Sequence, residues 1–163
     1  MSILFFIIIL NLLISQTVLA DDVLISNAVE NAQNNFFIVL DQKTLEKGYT
    51  ASFDLFKLGI GSGAIKGDSA VEIIKVDGAE MPLSKNKRLI SEIYQFDIKN
   101  KALFNNKKPL SLEIGYGDYS DDLKKIYFWN KTKGIWQTLP SSSDVKNKMV
   151  KSILHLPYAH WTD

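Results

Sequence analysis

The 163-residue chain contains no cysteine. Disulfides therefore cannot stabilise it, and thiol catalysis and thiolate metal sites are excluded. Arginine is almost missing as well: Arg88 stands alone among the basic residues, and the rest are lysines. That weakens bidentate recognition of phosphate or carboxylate, for which the guanidinium fork is preferred. Neither sign of charge is in excess, with 19 basic residues against 18 acidic ones and a net charge of +1. Such a balance leaves no electrostatic footprint for nucleic acid or for an anionic membrane surface. Histidine occurs only as His155 and His160. A zinc site needs three or four ligands, so this pair reads as solvent-facing or strand-end residues.

Catalytic signatures are missing too. No G-x-S-x-G elbow supports a serine nucleophile. No G-x-x-x-x-G-K-[ST] phosphate loop is present, and no pair of acids stands out for hydrolysis. GIGSG at 59–63 has the glycines of a phosphate cradle, but no helical pattern follows it, so it reads as a flexible loop. The sequence thus assigns no catalytic residue, no metal ligand and no cofactor. In GYGDYSDD (115–122), Asp118, Asp121 and Asp122 offer oxygen ligands of the kind calcium prefers. The loop lacks the D-x-D-x-D-G spacing and the glutamate at its twelfth position, so it reads as a solvated acidic loop beside Lys124 and Lys125.

Residues 1–20 carry no charged side chain. An apolar run from Ile3 to Leu10 continues past Asn11, and Val18-Leu19-Ala20 precedes Asp21-Asp22. Small residues at −3 and −1 fit a signal peptide cleaved after Ala20. The rival reading is an uncleaved anchor, since Ile3 to Ala20 is just long enough to span a bilayer. Asn11, Ser15, Gln16 and Thr17 make that span less apolar. The expectation is a secreted or extracytoplasmic protein that touches membrane only through this segment, if it is retained.

The whole chain is 46% hydrophobic and 23% charged, near the globular average, so a folded core is expected. Beyond the first twenty residues, hydrophobicity alternates with period two. Tyr49, Ala51, Phe53 and Leu55 alternate with polar residues, as do Tyr94, Phe96 and Ile98, and Leu110, Leu112, Ile114 and Tyr116. Each segment offers one face to a core and one to water, the pattern of half-buried antiparallel strands. Shorter strand candidates are 36–40, 70–76, 126–129, 135–139 and 150–156. Turn signals separate them, and Asp77-Gly78 suits a tight hairpin. The expected fold is all-β, an antiparallel sandwich of about eight strands over residues 36–163. Residues 21–35 form a lead-in, with VLISNAVENAQNN (23–35) the best helix candidate. SSSDVKNK (141–148) reads as a loop.

IYFWNKTKGIWQTL (126–139) reads as a β-hairpin with Asn130–Gly134 at its tip. If Trp129 and Trp136 share a rung, their rings pair across the strands, worth about 0.5–1 kcal/mol beyond burial. Pro140 then ends the second arm. The segment resembles the W…W-x-x-L-P hairpin at the end of ZU5-like β-sandwich modules of exported bacterial surface proteins. SGAIKGDSAVEII (62–74), IYQFDI, KKPLSLEIGY and VKSILHLPYAHW (150–161) resemble that family's preceding and closing strands. The likeness spans about residues 60–161. It implies a structural or protein-interaction module. Some members cut their own backbone at His-Phe-Ser. Here His155-Leu156-Pro157 replaces that triplet, so self-cleavage is not expected.

The sequence supports two functional expectations. The first is an exported, non-catalytic sandwich with a structural or protein-binding role at the cell surface. The second is a carbohydrate-binding module, with Tyr116, Tyr119, Tyr127, Trp129 and Trp136 as stacking candidates and Tyr127, Trp129 and Trp136 foremost. Coplanar rings exposed on one face would favour sugar, and rings turned inward would favour architecture.

Overall fold

The computed structural model describes residues 28–31, as backbone only, and residues 34–100, 103–105, 107–117 and 123–154. The amino-terminal segment, Asp118 to Asp122, and the two histidines lie outside the described residues. The strands are β1 (Ala28–Asn31), β2 (Asn35–Leu40), β3 (Tyr49–Phe53), β4 (Phe56–Ile60), β5 (Ser69–Val76) and β6 (Ile93–Ile98). They continue as β7 (Leu110–Gly115), β8 (Tyr127–Asn130), β9 (Ile135–Thr138), β10 (Ser141–Asp144) and β11 (Met149–Leu154). One short helix, α1 (Gln42–Lys47), joins β2 to β3.

The fold is all-β, and its strand pairs are antiparallel. A four-stranded sheet runs β1-β2-β5-β6, a five-stranded sheet runs β10-β11-β7-β4-β3, and β8-β9 form a separate ribbon. Three of these strands depart from the sequence expectation. Ala28–Asn31, inside the candidate helix 23–35, is a strand paired with Asn35–Ile38. Phe56–Ile60 is a strand where the glycines suggest a loop: Phe56, Leu58 and Ile60 are buried, and Gly59 packs against Ser111 directly opposite on β7. Ser141–Asp144 pairs with β11 rather than looping, and the turn between them is Val145–Lys148.

Asp77-Gly78 does not make a tight hairpin. The Asp77 side chain accepts from the Ala79 N–H at 3.1 Å, and Met81 N donates to Gly78 O at 2.9 Å. These local bonds turn the chain into a long connection, residues 77–92, before it returns as β6. The order of β5 and β6 in the sheet is unaffected, since Val71 to Val76 pair with Ile98 to Ile93.

The two larger sheets face one another across one core. Phe36 of β2 meets Phe53 of β3, and Phe56 of β4 stacks on Tyr94 of β6 with centroids 5.0 Å apart. Ile38, Leu58, Val71, Ile73 and Leu110 are almost fully excluded from solvent. Alternation is the cause: in β2 and β4 every second residue is buried, and its neighbours face outward.

At the β3–β4 turn, Asp54 adopts a positive φ of 52°. Its Oδ2 accepts from the Tyr94 hydroxyl at 3.0 Å and pairs with Lys75 Nζ at 2.8 Å. One carboxylate therefore joins a turn of the second sheet to β5 and β6 of the first. Helix α1 is set by its ends. Asp41 caps it by accepting from Thr44 N at 2.8 Å, and Gly48 at φ 91° stops it. Its one apolar side chain of size, Leu45, is completely buried.

Candidate functional site

The tryptophans come from facing arms of the ribbon. Trp129 pairs directly with Trp136, and Tyr127 pairs with Thr138. Side chains two residues apart on a strand share a face. Tyr127, Trp129, Trp136 and Thr138 therefore occupy one face, and Phe128, Gln137, Asn130 and Ile135 the other. The indole centroids are 5.4 Å apart with planes inclined at 60°, an edge-to-face pair. Both rings are half-buried.

The aromatic face of the ribbon is tied to the 77–92 connection. Trp136 Nε1 donates to Met81 O at 3.1 Å, and Lys87 Nζ lies 4.4 Å from the centre of the Tyr127 ring. On the other face, Phe128 packs against the core. The ribbon's base is held by one backbone bond and one side-chain bond: Leu139 N donates to Ile126 O at 2.8 Å, and Ile126 N donates to the Ser141 hydroxyl Oγ at 3.1 Å. At the tip, Asn130 Nδ2 donates to Gln137 Oε1 at 2.8 Å, and Gly134 N returns to Asn130 O at 2.8 Å. The ribbon is thus fastened on both faces. Its tryptophans are not coplanar and do not form an open stacking platform.

The ribbon closes one side of a cavity of about 720 Å³. The other walls are β6, β7, β11 and the 77–92 connection. Its lining includes Phe96, Leu112, Ile114, Ile126, Phe128 and Val150. Ligand sites are generally this size, mostly apolar, with a few placed polar groups. Leu83, Leu89 and Leu123 also line it, and each remains substantially exposed. They give the cavity an apolar entrance. Sequence reasoning identified the ribbon aromatics but missed the cavity, which needs the spatial opposition of β6, β7 and β11.

Two lysines reach the cavity along tyrosine rings. Besides Lys87 over Tyr127, Lys124 Nζ sits 4.7 Å from the Tyr116 ring centre. Lys124 is only 8% exposed, unusual for a lysine. Its alkyl stem is apolar, so it contributes wall as well as charge. Tyr116, a stacking candidate, is buried and lies beneath that ammonium. Tyr119 and the candidate calcium ligands Asp118, Asp121 and Asp122 fall outside the described residues. Among the described residues no group of three or more His, Asp or Glu side chains is placed to hold a metal ion. Among them, too, no helix is long and apolar enough to cross a membrane. In comparison with known proteins, the chain matches no family model, and no curated protein is similar enough to count as a relative.

Proposed function

We propose that the protein is an exported, non-catalytic β-sandwich that serves as an interaction module at the cell surface, with the cavity beneath the ribbon as its recognition site. One observation carries the choice of site. The ribbon tryptophans are folded against the chain's own connection, whereas an apolar cavity opens beside them through exposed Leu83, Leu89 and Leu123. The uncharged segment 1–20 supports export, and the W…W-x-x-L-P hairpin supports a ZU5-like module.

A structural ribbon and a binding cavity fit together physically. Edge-to-face rings and the Trp136–Met81 bond fix the wall, so recognition does not need the wall to be built on binding. The carbohydrate reading is the less favoured one, since sugar stacking uses an accessible, flat ring face and the two tryptophan rings are half-buried and inclined at 60°.

The test is made in cells expressing the full chain. Fractionation and mass measurement should find it in the envelope or medium, starting at Asp21. The exported protein should bind a neutral solvatochromic dye such as Nile red saturably at one site. Cytoplasmic retention would remove the export reading, and an absence of saturable dye binding would remove the cavity reading.

A further inference from the structure

We infer that the surface formed by the 77–92 connection and the ribbon tip docks on an anionic lipid bilayer, with leucines entering the interface and lysines meeting the head groups. The inference goes beyond the cavity reading and does not depend on what the cavity holds. Charge is its first support. Residues 81–91 and 123–143 carry seven of the chain's 19 basic side chains and none of its 18 acidic ones. Acidic residues stand only at the flanks: Glu80 and Glu92 bound the first stretch, Asp122 and Asp144 the second. The net charge of +1 conceals this segregation, because a total does not record how charges are distributed.

The fold joins the two stretches. Trp136 of the second donates to the Met81 carbonyl of the first, and Lys87 Nζ lies 4.4 Å from the centre of the Tyr127 ring. The first stretch is held at Met81 by that bond and at Ile90 by packing against the core. Between them every residue from Pro82 to Leu89 is exposed, around a turn in which Lys87 N donates to Ser84 O at 2.9 Å. At the ribbon tip, residues 131–135 are all exposed as well. Lys85, Lys125, Lys131 and Lys133, each exposed, supply the charge.

The leucines select the partner. Leu83, Leu89 and Leu123 are 40%, 45% and 89% exposed in these same basic stretches. A hydrated acidic chain would use the charge and leave the leucines in water. An anionic bilayer uses both: apolar side chains enter the boundary between head groups and acyl chains, and lysine stems reach up to the phosphates.

The absence of cysteine makes the test direct, since Leu83→Cys can carry a single environment-sensitive nitrobenzoxadiazole dye. On vesicles of equal parts phosphatidylglycerol and phosphatidylcholine its emission should shift to the blue, and on phosphatidylcholine alone it should not. The same dye at Ile153→Cys, an exposed position on β11, should shift on neither vesicle. That control separates docking through this surface from anchoring by residues 1–20. Adding Lys85→Gln or Lys133→Gln to the labelled chain should each raise the lipid concentration at half-shift by about fivefold. Raised salt should weaken the binding in the same direction. Equal shifts on both vesicles, equal shifts at Leu83→Cys and Ile153→Cys, or no shift on the anionic vesicles would overturn the inference. Binding to polyglutamate without a shift on anionic vesicles would overturn it in favour of an acidic protein partner.

Discussion

Trp136 donates its indole N–H to the carbonyl of Met81 at 3.1 Å, fastening the β8–β9 ribbon to the connection between β5 and β6. The same ring packs edge-to-face on Trp129. Replacing Trp136 by Phe keeps an aromatic ring but removes the donor and part of the contact. We expect a loss of about 1–2 kcal/mol of stability. Urea unfolding followed by circular dichroism checks it, as a lower midpoint with an unchanged slope.

Asp54 gives the fold an acid-sensitive link. The bond from Lys75, and after it the one from Tyr94, hold its carboxyl below the ordinary value of 3.8. A depressed carboxylate stabilises above its unfolded pKa, and that contribution disappears as pH falls through the folded one. Between pH 5 and pH 2 the wild type should therefore lose stability more steeply than Asp54→Asn. Denaturant midpoints measured along that series check the difference in slope.

The opposite limb belongs to Tyr94. Burial, then the bond to Asp54, pushes its hydroxyl well above the ordinary 10.0. A raised pKa stabilises below the unfolded value, and that contribution is lost as pH rises above it. Tyr94→Phe should be less stable than wild type at pH 8 by about 1 kcal/mol, the worth of an ordinary hydrogen bond. The gap should narrow above pH 10, as measured by the same unfolding assay.

Gly48 ends α1 at φ 91° and ψ 156°, a region that L side chains rarely enter. A Cβ there would also lie 3.0 Å from Ile60 O and Ser62 N. Gly48→Ala should destabilise by at least about 2 kcal/mol. Leu45→Ala, which empties the buried face of the same helix, should cost about 2–5 kcal/mol. Thermal denaturation ranks both against an exposed control such as Lys43→Ala, for which no measurable shift is expected.

Strands with one wet and one buried face were legible from the sequence. β3, β6 and β7 follow the alternation of Ala51 and Phe53, Phe96 and Ile98, and Leu110 and Leu112. β4 was hidden because Gly59 looks like loop chemistry, although its missing side chain is what admits Ser111. β10 was hidden because it is a polar edge strand, Ser141-Ser142-Ser143-Asp144, specified by its pairing with β11 rather than by burial. Helix α1 is too short to show a stripe. The hairpin of Trp129 and Trp136 could be read from spacing. What their face meets could not, because Met81 is 55 positions away in the chain from Trp136.

The most direct test of the recognition site is methyl NMR under xenon pressure, since an apolar cavity admits xenon without needing a polar group. The account predicts saturable shifts at Leu112, Ile114, Ile126 and Val150, with none at outward-facing Val39 and Ile153. An absence of saturable shifts at those cavity methyls, or shifts distributed equally over Val39 and Ile153, would contradict it.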